Sequence, residues 1–383
     1  MTGSATISQA VRRLEGNQAL QVQMPEPLAS GRDLSGDHPI FELARVARAA
    51  ASAALDAGET HYADVPGIAP LREAVAAELA AMGLRADAEH GLIIASGEQE
   101  GRFLALHTLA YLGYRIVLPS IVHPGARRAA SLGGVTVDRL ELDPLTMAPV
   151  TADLARASAG GRVALYLESP NRLTGKVIAP EHVAAIADRV LQTDAVVVWD
   201  ATLAPWVDGA PPTLIGALPG MADRTITLGT LWSGAGVEDW LAAYLAGPPA
   251  LFQRALSLKQ IIAICTTTPA QWGVLAVLQN GRAAMGPHRT TLQRIKADAA
   301  ALLPSRVMPG EAASVLAVRP ATGIDPSRLR ESVLPASPMP GEAFGAPGVL
   351  RFTVTPTGDI VGAMRALAAQ DAAAHDAGRG GRS

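Results

Sequence analysis

IIASGEQEGRFLALHTLAYLGYRIVLPS, residues 93–120, runs from an apolar strand through a glycine-containing turn into a helix and out to a second apolar strand. Units of this kind build open α/β sheets, which place their ligands where strands end and helices begin. The amides after Gly97 could hold an anion at the helix start, although a Ser-Gly turn ahead of a helix is more often a plain cap. The pattern continues outward. Further apolar runs lie at 134–142, 162–169, 194–200 and 224–230, separated by helix-like segments such as HPGARRAASL and APEHVAAIADRVL. This alternation predicts an α/β fold, with a large domain built on a mainly parallel sheet flanked by helices. From about Gln279 to Gln370, a helix (HRTTLQRIKADAAALL), a strand (SVLAVRP) and GVLRFTVTP read as a smaller α+β lobe.

A chain of 383 residues has room for two lobes, each with its own core. Hydrophobic content of 49% with 17% charged residues argues against disorder, and a net charge of -3 gives no pull toward nucleic acid or anionic membrane. Cys265 is the single cysteine, so no internal disulfide forms. No apolar run reaches membrane-spanning length, and MTGSATISQAVRRLEG lacks the apolar core of a signal peptide. The expectation is a cytoplasmic protein with no nucleic-acid partner, no membrane partner and no metal site.

Seven motifs in order resemble those of the class I/II aminotransferases, which are fold type I pyridoxal phosphate enzymes. HYADVPGIAPLREAVAAEL resembles the family's entry segment, SGEQEGRFLAL its phosphate-binding turn and helix, and VLPSIVHPGARRAASLGG the segment that carries the cofactor-stacking aromatic. ESPNRLTGKVI is similar to the Asn-Pro-Thr-Gly loop, and VVWDATLAPW to the strand whose Asp pairs with the pyridine nitrogen. TITLGTLWSGAG resembles the segment bearing the Schiff-base lysine, and GVLRFTV the strand whose Arg grips the substrate carboxylate. The resemblance implies an N-terminal segment at 1–45 contributing to the small domain, a large domain at 46–278, a small domain at 279–371 and a flexible tail at 372–383. It also implies a homodimer, with Tyr62 reaching the neighbouring subunit.

At the positions that carry the chemistry the resemblance breaks. Ser233 stands where the lysine is expected, and a hydroxyl cannot form an imine. Arg172 replaces the loop asparagine, Leu203 a tyrosine, His123 the stacking aromatic and Leu241 the phosphate-binding arginine. Lys176, Lys259 and Lys296 are the only lysines. The ancestral cofactor positions are Gly97, Glu98, Gln99, Asp200 and Thr230.

From these substitutions follows the expectation of no cofactor, pyridoxal or pyridoxamine phosphate remaining only as a noncovalent ligand. The expected function is cofactor-independent acid/base chemistry in specialised metabolism: a cyclisation, condensation or elimination on an amino-acid-derived carboxylate. His123, Asp200, Glu98 and Arg172 would be the catalytic residues, with Arg351, Trp232, Ser233, Asn171 and Tyr62 binding substrate. Two alternatives stay open at this point, a non-catalytic binder of a metabolite or partner and an enzyme with noncovalently held cofactor.

Overall fold

Short runs rich in Val, Ile, Leu and Ala fold as the strands of one seven-stranded sheet: β1 Leu92–Ala95, β2 Arg115–Pro119, β3 Val137–Leu140, β4 Val163–Glu168, β5 Val196–Asp200, β6 Thr225–Gly229 and β7 Ala243–Ala246. The structure, a computed structural model, describes residues 34–132, 135–280, 282–320 and 337–380, with 282–284 and 371–380 described by their backbone alone. The strand order is β1-β7-β6-β5-β4-β2-β3. Pairings among β2 to β6 are parallel, whereas β7 lies antiparallel between β1 and β6.

Strands covered on both faces need apolar side chains at successive positions, and β4 and β5 supply them. Val163, Leu165, Leu167, Val197 and Trp199 pack into one apolar layer, while Ala164, Tyr166, Val196 and Val198 pack into the opposite one. Helices close both layers. They are α1 Arg45–Asp56, α2 Ala69–Ala81, α3 Glu98–Tyr111, α4 Pro124–Ser131, α5 Thr151–Ala157, α6 Pro180–Leu191, α7 Pro249–Ile262 and α8 Thr268–Asn280. β7 was not anticipated from sequence. Its AYLA is a four-residue, alanine-rich run, and pairing on both edges rather than intrinsic preference makes it a strand.

The smaller sheet has the order β8-β10-β9, from Val315–Val318, Leu350–Thr353 and Met339–Pro340, and all its pairings are antiparallel. Leu292, Leu303, Val315, Phe352, Ile360 and Met364 form its core beneath α9 (Arg282–Ala301) and α10 (Ile360–Gly380). The start of the described chain joins this lobe: Leu34 packs in the same cluster, and its carbonyl accepts from the Thr353 amide at 2.8 Å. α10 continues to Gly380, into the tail expected at 372–383, as alanine-rich sequence favours. Residues 381–383, like 1–33 of the expected N-terminal segment, lie outside the described residues.

Candidate active site

β4 and β5 end side by side, with Glu168 in register with Asp200. β1 hands over to α3 through Gly97, whose φ of 87° is open to glycine at little cost. Residues 36–40, the turn after β6 and the loop before β7 complete a cleft of about 380 Å³ at these strand ends. Gly97, Glu98, Gln99, Thr230, Trp232 and Ser233 line it, as do Asp37, His38 and Arg102. Asp200, His123, Arg172, Asn171 and Arg351 are buried and do not line the cleft. Tyr62 is 80% exposed and also stands outside the lining.

Beneath the cleft the charges alternate in sign. Arg102 Nε donates to Asp200 Oδ2 at 3.0 Å, and its Nη2 donates to Glu98 Oε2 at 3.1 Å, one helical turn away. Tyr166 and Thr202 hydroxyls each donate to Asp200 at 2.5 Å. Arg172 Nη1 donates to Thr202 Oγ1 at 3.0 Å and lies 3.3 Å from Glu98 Oε2. Its Nη2 lies 3.5 Å from Asp37 Oδ1. Burial alone would raise the Asp200 pKa, but the two guanidinium groups and the two hydroxyls outweigh it and hold Asp200 ionised below the usual carboxylate range. Burial also acts against ionised Glu98, and Arg172, His38 and Arg102 together overcome it.

His123 caps α4: its Nδ1 accepts from the Gly125 amide at 3.1 Å. The proton of the neutral ring therefore sits on Nε2, which faces both Asp37 oxygens at 3.1 Å. Burial, opposed by Asp37, takes the His123 pKa down to about 4, so the ring is neutral at pH 7. Glu168 accepts from the amides of His123 (2.7 Å) and Arg172 (3.1 Å) and from Asn171 Nδ2 (3.2 Å). Burial and the nearby Asp200 push its pKa upward all the same.

Several sequence-level roles change with this geometry. Asp200 faces an internal guanidinium rather than a free ring nitrogen. Asn171 Oδ1 accepts from the Leu173 and Thr174 amides at 3.1 and 3.3 Å, so its work is to make the turn. Arg351 spends its donors on protein oxygens: those of Arg172 (3.1 Å), Gly36 (2.7 Å), Asp37 (3.4 Å) and the Thr353 hydroxyl (2.9 Å). Its fork is thus turned to the backbone of the segment that would cover a substrate. Ser233 bonds Thr230 at 2.9 Å, Gln99 donates to the Gly125 carbonyl, and Trp232 Nε1 donates to the Ala242 carbonyl. The lysines are engaged elsewhere, Lys176 with Glu311 at 2.6 Å, Lys259 with Glu100 at 3.0 Å and Lys296 with the Gly310 and Ala312 carbonyls at 2.7 Å.

Asp37, His38, Arg102, Tyr166 and Thr202 were missed from sequence. Arg102 alone left a sign: it is a basic residue four positions after Glu98, one helical turn along the same face.

The model of the aminotransferase class I and II family matches residues 27–368. The chain belongs to that family. It is 27% identical to aromatic-amino-acid aminotransferase 2 of Thermococcus litoralis over 64% of either protein. It is 26% identical to the aspartate/prephenate aminotransferase of Thermus thermophilus, over 84% of this chain and 85% of that one. Its fold matches the aromatic aminotransferase structure from Pyrococcus horikoshii with a TM-score of 0.82 at 23% identity, covering 90% of this chain and 96% of the other. The expected fold type I architecture is therefore present.

Two expectations are corrected here. Cofactor-independent acid/base chemistry in specialised metabolism, together with its non-catalytic and noncovalent-cofactor alternatives, gives way because the matched proteins are named as aminotransferases. The expectation of no cofactor gives way as well, since aminotransferases of this family work with covalently bound pyridoxal phosphate. Both expectations leaned on five replaced positions, Ser233, Arg172, Leu203, His123 and Leu241, against a likeness that spans most of the chain. Tested against the geometry, however, the residues present do not fit that group in this arrangement. Ser233 has no amine, Arg102 already occupies Asp200, and Leu241, where the resemblance implies a phosphate-binding arginine, is apolar and exposed beside Gly97.

Proposed function

We propose that this protein binds α-amino acids and their 2-oxo acids, the substrate class of the amino-group transfer for which its relatives are named. The observation that carries the reading is a carboxylate seat at the cleft edge. The Asp37 side chain, about one-third exposed, rests against His123 and Arg172. Burial would raise its pKa, but His123, Arg172 and Arg351 hold it well below the usual value. A ligand carboxylate displacing Asp37 would meet the same donors. Arg172 Nε and Nη2 are buried and have no hydrogen-bond partner among the described residues, and together they form one edge of a guanidinium suited to bidentate contact.

The chain's own part is to bind and orient that carboxylate, to present neutral His123 with its proton on Nε2, and to keep Glu168 protonated more readily than an ordinary carboxyl. We further infer a homodimer acting in the cytoplasm. Exposed Tyr62 (80%) and Ile261 (82%) support the apolar contact this requires, and light scattering would check it.

Calorimetric titration with 2-oxoglutarate tests the seat. Asp37→Asn removes the internal competitor and should bind about tenfold more tightly than wild type. Absence of 2-oxoglutarate binding by either protein would sink the reading.

A further inference from the structure

On the far side of the Thr230–Ser233 turn lies a second hollow of about 350 Å³, whose walls include Trp206, Leu231, Tyr244 and Met285. Thr230 and Ser233 line both hollows, so their mutual hydrogen bond forms part of the partition. Arg289 is the single charged residue on the chamber wall among the described residues, and its Nη1 already donates to the carbonyls of Pro205 (3.3 Å) and Val207 (3.1 Å).

Three polar groups of the wall are left with unused capacity. Trp206 Nε1 is buried without a partner. Tyr244 is 2% exposed, and its hydroxyl makes no hydrogen bond among the described residues. Thr230 and Ser233 share one hydrogen bond between two hydroxyls, so one proton remains undirected. Buried donors without acceptors cost free energy that a ligand oxygen would recover, and a chamber of this size falls at the small end of ligand pockets. With no uncommitted charge on the wall among the described residues, an ionised guest would lose its hydration without compensation.

We propose that this chamber is a second binding site, for a neutral, planar, bicyclic aromatic molecule carrying a carbonyl or ether oxygen that accepts from the Tyr244 hydroxyl. The site is independent of the amino-acid reading of the cleft, because the Tyr244 hydroxyl that would hold its ligand belongs to a residue that does not line the cleft. Coumarin is the probe: bicyclic, uncharged and bearing a lactone oxygen. Calorimetric titration of the full chain should show saturable binding below about 1 mM. Met285→Trp, which fills the chamber, should weaken binding at least tenfold, whereas Met285→Ala should retain it and so control for folding. Tyr244→Phe should weaken it about two- to tenfold, the worth of one hydrogen bond. Excess 2-oxoglutarate should leave the coumarin affinity unchanged. Absence of binding up to about 1 mM, indifference to Met285→Trp, or displacement by 2-oxoglutarate would each overturn the proposal.

Discussion

The two hollows that share the Thr230–Ser233 turn are built from opposite materials. On the cleft side, Arg102 and Arg172 face Glu98, Asp200 and Asp37, and the charges are matched inside the protein. On the chamber side the wall is largely apolar, Arg289 is matched to two carbonyls, and among the described residues Trp206 Nε1 has no partner. A buried charge cannot wait for a ligand, because the cost of leaving it unpaired is several kcal/mol, whereas a single neutral donor can. Charged ligands must therefore compete with side chains already in place, and neutral ones need only enter.

Removing the central cation is the sharpest way to break this contrast. Arg102→Leu strands Asp200 and Glu98 and should cost about 3–5 kcal/mol in urea unfolding; a variant as stable as wild type would show that the pairing does not hold the cleft together. Next comes pH. The folded His123 value near 4 lies below its ordinary 6.5, so the folded protein binds fewer protons between those limits. Stability should be full above about 6.5, fall by up to about 3 kcal/mol as pH drops toward 4, and level off below. His123→Asn should flatten that slope. A smaller effect is expected at Leu241, which takes a left-handed conformation with φ 52° beside Gly97 and is 60% exposed. Leu241→Gly should raise stability by up to about 1 kcal/mol on thermal unfolding, since only glycine enters that region freely. Smallest of all is Lys176→Met. Its partly exposed pair with Glu311 lies away from both hollows, and the loss should stay under about 1 kcal/mol.

Much of the fold was legible in the residues. β4 and β5 are unbroken apolar runs, and the glycine turn before α3 marks where a sheet's strand ends meet a helix. Gly97, Glu98, Gln99, Thr230, Trp232 and Ser233, singled out along the sequence, line one hollow. Their partners were not legible. Arg102 and Asp200 are 98 positions apart, and Arg351 and Gly36 are 315 apart; no local pattern joins either pair. β7 was hidden for a related reason, its strand character coming from neighbours on both edges.

The sequence by itself determined the α/β architecture, the likeness to aminotransferases and the hydroxyl at position 233, since apolar periodicity, motif order and residue identity are written along the chain. Only the tertiary structure decided that Arg102 answers Asp200, that Asp37 rests on His123 and Arg172, and that a largely apolar chamber backs onto the cleft. Coulomb energy and hydrogen bonding depend on distance in space, and that distance is set by folding rather than by position in the chain.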